Sequence, residues 1–87
     1  MRFEYDPEKS ISNLAKHGID FDEAKRLWDD PRLFVFKVQT ENELRLIGIG
    51  RIGDLDWSAI FTPRNGGIRL ISVRRSRKLE VERYEGQ

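Results

Sequence analysis

Two periodicities divide this chain near residue 33. Before it, apolar residues return at helical spacing; after it, they run together or alternate in short segments broken by glycines and polar turns. Phe3 and Tyr5 flank Glu4 as a short strand. Asp6 follows as an N-cap, with Pro7 at the first helical position, where a missing N–H does no harm. Ile11, Leu14 and Ala15 make the i, i+3, i+4 stripe of a half-buried helix that ends at Gly18. Asp20 caps a second helix, with Glu23 three residues on as a variant capping box. Its inward residues are Phe21, Ala24, Leu27 and Trp28, and Asp29-Asp30-Pro31 stops it.

Beyond residue 33 the pattern is that of strands. Residues 33–38, 44–52, 57–62 and 68–75 are rich in β-branched and aromatic side chains, and polar or glycine-containing turns separate them. Asn65-Gly66, or Gly66-Gly67, is the strongest hairpin signal. Strict alternation along the last strand puts Ile68, Leu70, Ser72 and Arg74 on one face and Arg69, Ile71, Val73 and Arg75 on the other. Ser76 is then placed to cap a C-terminal helix reaching about residue 85. The expectation is one α+β domain over residues 1–87: two N-terminal helices packed on one face of a twisted antiparallel meander, with a short C-terminal helix.

Composition narrows what such a domain can carry. Its 87 residues support a modest core and one small site, not a two-domain cofactor cleft. With 36 % charged residues the chain is polar, yet five Phe, two Trp and two Tyr in patterned runs argue against disorder. The absence of cysteine excludes disulfides, thiolate zinc sites and Cys nucleophiles. No apolar run approaches the roughly 18 residues of a membrane span, and the opening M-R-F-E-Y-D has no signal-peptide core, so a soluble, cytoplasmic protein with no membrane partner is expected.

Charge is distributed unevenly. Residues 64–79 hold six cations (Arg64, Arg69, Arg74, Arg75, Arg77 and Lys78) and no acid, whereas the whole chain has a formal net charge of +1, leaving −5 on the rest. A patch of this kind concentrates and steers polyanions, and nucleic acid is the first candidate partner. Taken alone, a charge run is more often a solvated surface paired with acids elsewhere.

One motif is rejected. Residues 48–53 spell G-x-G-x-x-G, but the glycines lie within and at the end of a strand that leads to another strand. A dinucleotide site needs a following helix whose N-terminus holds the pyrophosphate. Room for helices packed above the sheet is the structural explanation, and no cofactor is expected. Catalytic constellations are equally sparse: there is no G-x-S-x-G elbow, one histidine only, and no acids at metal-ligand spacing. Metal-independent RNA cleavage is chemistry that cations can support. The 2′-OH attacks its own phosphate, so a small protein need only align it, stabilise charge on phosphorus and move two protons.

The blocks F-E-Y-D-P-E-K (3–9), N-L-A-K-H-G-I-D-F-D-E-A (13–24), D-D-P (29–31) and I-R-L-I-S-V-R-R-S-R-K-L-E (68–80), closing on Tyr84-Glu85, resemble the BrnT family. The resemblance covers nearly the whole chain in order. It implies a RelE-like fold and the ribonuclease toxin of a type II toxin–antitoxin pair, cleaving RNA and arresting translation. It also implies a BrnA-like antitoxin partner that binds operator DNA, in a two-toxin, two-antitoxin complex.

Arg74, Arg75 and Lys78 match the family's basic block and are the candidates for phosphate and transition-state contacts. The alternative is that one of them only pairs with Glu80 or Glu82. Arg77 belongs to the same block, and Arg64 at a hairpin tip is open to either reading. Arg69, between Ile68 and Leu70, is suited to snorkelling over the sheet. His17 matches K-H-G and is a candidate proton mover, although a cationic His at a helix C-terminus needs no further explanation. Lys16 is a second phosphate candidate or a solvated helix end. Tyr84 is a base-stacking candidate or a ring packed on the sheet; Trp28 and Trp57 are core. Beside the ribonuclease stands a non-catalytic nucleic-acid- or antitoxin-binding module of the same fold.

Overall fold

Capping residues mark where each N-terminal element begins and ends. The structure, a computed structural model, describes residues 1–38 and 40–87. Strand β1 (Arg2–Glu4) leads to α1 (Pro7–His17), where the Asp6 side chain accepts from the Glu8 N–H and Gly18 closes the helix at φ 80°. Asp20 accepts from the Glu23 N–H at 2.8 Å and opens α2. The second helix is not continuous. A single α turn, α2 (Phe21–Ala24), passes into a 3₁₀ segment, Lys25–Asp29. Phe21, Ala24 and Leu27 are all fully buried. Their three-residue spacing is the one a 3₁₀ turn presents on a single face, so core packing tightens the helix there.

Helix α1 turns a different side inward from the one its apolar stripe suggests. Ser10 and Asn13 are buried, while Ile11 and Leu14 are 71 % and 50 % exposed. The reason is what the helix meets. It lies against backbone that needs hydrogen-bond partners: Ser10 Oγ accepts from the Phe21 N–H at 2.9 Å, and the Asn13 amide bonds both the N–H and the C=O of Val73.

The four later strands, β2 (Phe34–Val38), β3 (Arg45–Ile52), β4 (Leu55–Arg64) and β5 (Gly67–Arg75), form the expected antiparallel meander. The complete sheet is mixed, however. Its order is β1-β5-β4-β3-β2, and β1 runs parallel to β5, with Arg2 opposite Gly67 and Glu4 opposite Arg69. Gly67 permits this: a Cβ there would lie 2.0 Å from the Arg2 carbonyl oxygen. The glycines of β3 serve packing, since a Cβ on Gly50 would meet Leu27 and Leu33 at 3.0 and 3.1 Å.

Helices cover both faces of the sheet, not one. Trp57, Ala59 and Phe61 of β4, with Ile68, Leu70 and Val73 of β5, pack into one core with Phe21, Ala24 and Leu27. Ser58 points the other way and donates to Glu80 of α3 (Lys78–Glu85) at 3.0 Å. Alternation in β5 breaks once. Phe61 pairs with Leu70 but Ile60 with Ser72, leaving Ile71 as a bulge. Val73 thus joins Ile68 and Leu70 in the core, and Ser72 and Arg74 face α3. Helix α3 begins at Arg77 as N-cap rather than at Ser76, whose hydroxyl is engaged with that of Ser58 at 2.8 Å.

Gly67→Ala is expected to force β1 off the edge of β5. Overpacking of this kind costs about 1–3 kcal/mol. Thermal unfolding should fall by about 4–8 °C per kcal/mol for a domain of this size, with early loss of amide-exchange protection in β1. Unchanged melting would show that β1 is not held there.

Candidate nucleic-acid interface

The C-terminal end of β5 separates the neighbouring arginines that the sequence places together. Arg74 projects toward α3 and meets Glu80 through two contacts, 2.7 and 2.9 Å, with only 19 % and 13 % of the two side chains exposed. Glu80 also accepts from Ser58 Oγ and from the Arg77 N–H at 2.8 Å, so one carboxylate caps α3 and ties it to β4 and β5. The Arg74 guanidinium first, with the Arg77 N–H and the Ser58 hydroxyl, holds its pKa down at about 2 against the opposing effect of burial. Of the two readings of Arg74, the structure shows the pairing with Glu80.

Arg75 points to the opposite face, its guanidinium 5.5 Å from the centre of the Trp57 ring. The Trp57 side chain beneath it is 7 % exposed, a core residue as expected. Arg77 and Lys78 stand exposed at the start of α3. Arg75, Arg77 and Lys78 make no ion pair among the described residues. Arg74, Arg77 and Lys78 come together at a groove of about 1060 Å³ between α3 and the outer strands. Phe36, Val38, Ile47 and the 73 % exposed Leu79 give it an apolar lining, and Arg83 lies 4.3 Å above the Phe36 ring.

Lys16 and His17 meet elsewhere. With Lys9, Ser12 and Asn13 of α1 and Ile71 and Ser72 of β5 they line a separate depression of about 210 Å³. Arg64 is remote from both, because it pairs with Gly67 while Arg75 ends the strand. Eight residues of strand set the two ends about 26 Å apart. Arg69 lies 3.7 Å from Glu4 across the β1–β5 pair.

Tyr84 is a packed residue, the second of its two readings. It is 5 % exposed, and its hydroxyl donates to Asp30 Oδ2 at 2.6 Å, with the Arg51 guanidinium 5.1 Å from its ring. Burial, followed by the bond to Asp30, pushes its pKa up. Among the described residues no group of three His, Asp or Glu side chains is placed to hold a metal ion.

Sequence reasoning missed Lys9, Ser12, Ser72 and the clamp residue Asn13. A signal existed for the first two: with Lys16 they fall at i, i+3 and i+7, one face of a helix. An Asn in the middle of a helix, a poor place for it unless its amide is used, was the signal for Asn13.

A family model described as ribonuclease toxin, BrnT, of type II toxin–antitoxin system matches residues 5–80. No curated protein matches the chain. The matched span holds every candidate residue of the interface except Tyr84.

Glu80 makes a pH-dependent anchor. Its pKa lies below the ordinary 4.5, so its stabilisation is complete above that value and is lost as pH falls toward about 2. A depression of this size corresponds to on the order of 3 kcal/mol. Wild-type and Glu80→Gln protein should therefore differ clearly in thermal melting at neutral pH and converge as pH approaches about 2. A difference that stays constant over that range would refute the anchor.

Proposed function

The chain belongs to the BrnT family of ribonuclease toxins of type II toxin–antitoxin systems, and on that premise we propose that it cleaves RNA without a metal ion, through attack of the substrate's own 2′-OH. In this reaction the 2′-oxygen forms a bond to phosphorus as its proton is removed. The bond to the 5′-oxygen breaks, and that oxygen takes up a proton. The products are a 2′,3′-cyclic phosphate and a 5′-OH. The chain supplies cations to stabilise the charge on phosphorus, and among the described residues its carboxylates and its one histidine are not grouped in threes around a metal position.

The observation that carries this reading is the set of exposed cations without acid partners at the end of β5 and the start of α3: Arg75, Arg77 and Lys78. They are the contacts for phosphate and transition-state charge, with Lys16 and Arg64 on the approaching strand. Arg74 contributes by holding α3 through Glu80, and its remaining edge faces the same groove. His17 is the proton mover. The protein acts in the cytoplasm and inhibits translation. A BrnA-like antitoxin, in a two-toxin, two-antitoxin complex, neutralises it by covering these cations. The apolar lining of the groove beside Arg77 and Lys78 supports a protein partner there.

One observation favours the second reading, a non-catalytic binding module: His17 lines a different depression from Arg77 and Lys78. Incubation of the purified protein with RNA in EDTA decides between them. Cleavage is expected, with cyclic-phosphate ends, and a 2′-deoxy residue at the scissile position should abolish it. Arg75→Ala should lower the rate by about 10²–10³-fold if it stabilises the transition state, with little change in melting. Dependence on added metal, or 5′-phosphate products, would sink the mechanism; binding without cleavage would establish the module.

A further inference from the structure

The depression between α1 and the bulge of β5 is cationic without compensation. Lys9, Ser12 and Lys16 reach it from one face of α1, His17 from the helix end, and Ser72 from β5; no acid lines it. Lys9, Lys16 and His17 make no ion pair among the described residues. Asn13, also in the lining, is already saturated: its NH₂ donates to the carbonyls of Ile19 and Val73, and its oxygen accepts from the Val73 N–H. The volume of about 210 Å³ falls below the ~300–1,000 Å³ of pockets that enclose a whole small molecule. It suits a compact anion.

Its position relates it to the groove. Ser72 and Arg74 share one face of β5, two residues or about 7 Å apart, and Arg74 lines the groove beside Arg77 and Lys78. A strand that crosses the end of β5 from α3 toward α1 passes both. The bulge at Ile71 decides which face that is: it turns Ser72 and Arg74 away from the core while Val73 enters it. The C-terminal end of α1 carries about half a negative charge, which weighs against an anion. The depression extends along the flank of the helix back to Lys9, however, and the lysines bear full charges.

We infer that this depression is a phosphate-binding subsite for the RNA strand, with Lys9, Lys16 and Ser72 as its donors, His17 beside the bound group, and Ser12, whose hydroxyl donates to the Glu8 carbonyl, in its wall. The assignment rests on the reading of the protein as one that acts on RNA. It adds Lys9, Ser12 and Ser72 to the interface and gives the substrate a direction, from the start of α3 across β5 to α1.

His17 is the only histidine in the chain, so its ring C–H signals in an NMR spectrum are unambiguous. Titration with inorganic phosphate at fixed pH and ionic strength should shift them saturably. The Lys9→Gln/Lys16→Gln protein should melt like wild type, since both side chains are exposed, and lose the shift. The charge-matched Arg26→Gln/Arg45→Gln protein should keep it. With a non-cleavable 2′-O-methyl RNA, the salt dependence of binding should flatten by about 0.7 for the loss of one phosphate contact in the lysine variant alone. A saturable phosphate shift without that flattening would leave a site for free phosphate only and overturn the RNA assignment. Absence of a saturable shift at His17 would overturn the subsite itself. Failure of the wild-type protein to cleave or bind RNA, with the phosphate shift intact, would count against the ribonuclease reading and not against the anion site.

Discussion

Asn13 holds the open edge of β5, and the placement of every cation near that edge depends on it. Strand β1 pairs only with the first three residues of β5, so on the side away from β4 the Val73 N–H and C=O meet no strand. The Asn13 amide takes that neighbour's place, offering an acceptor to the N–H and a donor to the C=O, at 3.1 and 2.8 Å. Its second amide hydrogen goes to the Ile19 carbonyl and fixes the turn after α1. Each of these groups, buried without a partner, would cost about 1–3 kcal/mol. With Val73 pinned inward, the extra residue in β5 has to be Ile71. Without that bulge, the alternation that buries Ile68 and Leu70 would carry the Arg74 guanidinium into the apolar core, at a cost of several kcal/mol.

The same bulge sorts the charges by function. The stretch 64–79 has no acid of its own, but the first residue beyond it is Glu80, and the fold returns that carboxylate to Arg74. A bidentate pair with little solvent exposure is a firm contact, unlike the solvated pairs of α2 and the 3₁₀ segment, Lys25 with Asp22 and Arg26 with Glu23, which contribute little. One arginine is thereby withdrawn into the scaffold. Arg75 is held above Trp57, and Arg77 and Lys78 project from a helix start that Glu80 has fixed. Tyr84 and Asp30 secure the other end of α3 to the turn after the 3₁₀ segment. A helix with little apolar surface is thus docked chiefly through polar contacts.

Much of this is legible in the sequence. Asp6-Pro7, Gly18 and Asp20 announce their caps because a cap is a local hydrogen bond, made within three residues. Asn65-Gly66 announces its hairpin for the same reason, and the glycines of β3 leave room for side chains packed above the sheet, Leu27 and Leu33 over Gly50. The joined blocks around His17 and Arg74 identified the family. Where expectation failed, distance along the chain was the cause. The apolar stripe of α1 established a helix but not its inward side, because the surface it meets is a sheet edge that demands polar partners. The 3₁₀ tightening after α2 was implicit in the spacing of Phe21, Ala24 and Leu27, but only their common burial gives that spacing its meaning.

The sequence by itself therefore determined the elements, the turns, the family and the concentration of positive charge, all of which follow from neighbours along the chain. Tertiary structure alone decided that β1 joins β5 in parallel, that α3 covers the face opposite α1 and α2, and which arginine is paired and which is free. Those outcomes turn on Asn13 meeting Val73 and Arg74 meeting Glu80. The first pair is sixty residues apart. The second is close in sequence, but its geometry is set by a bulge whose position only the packed core can fix.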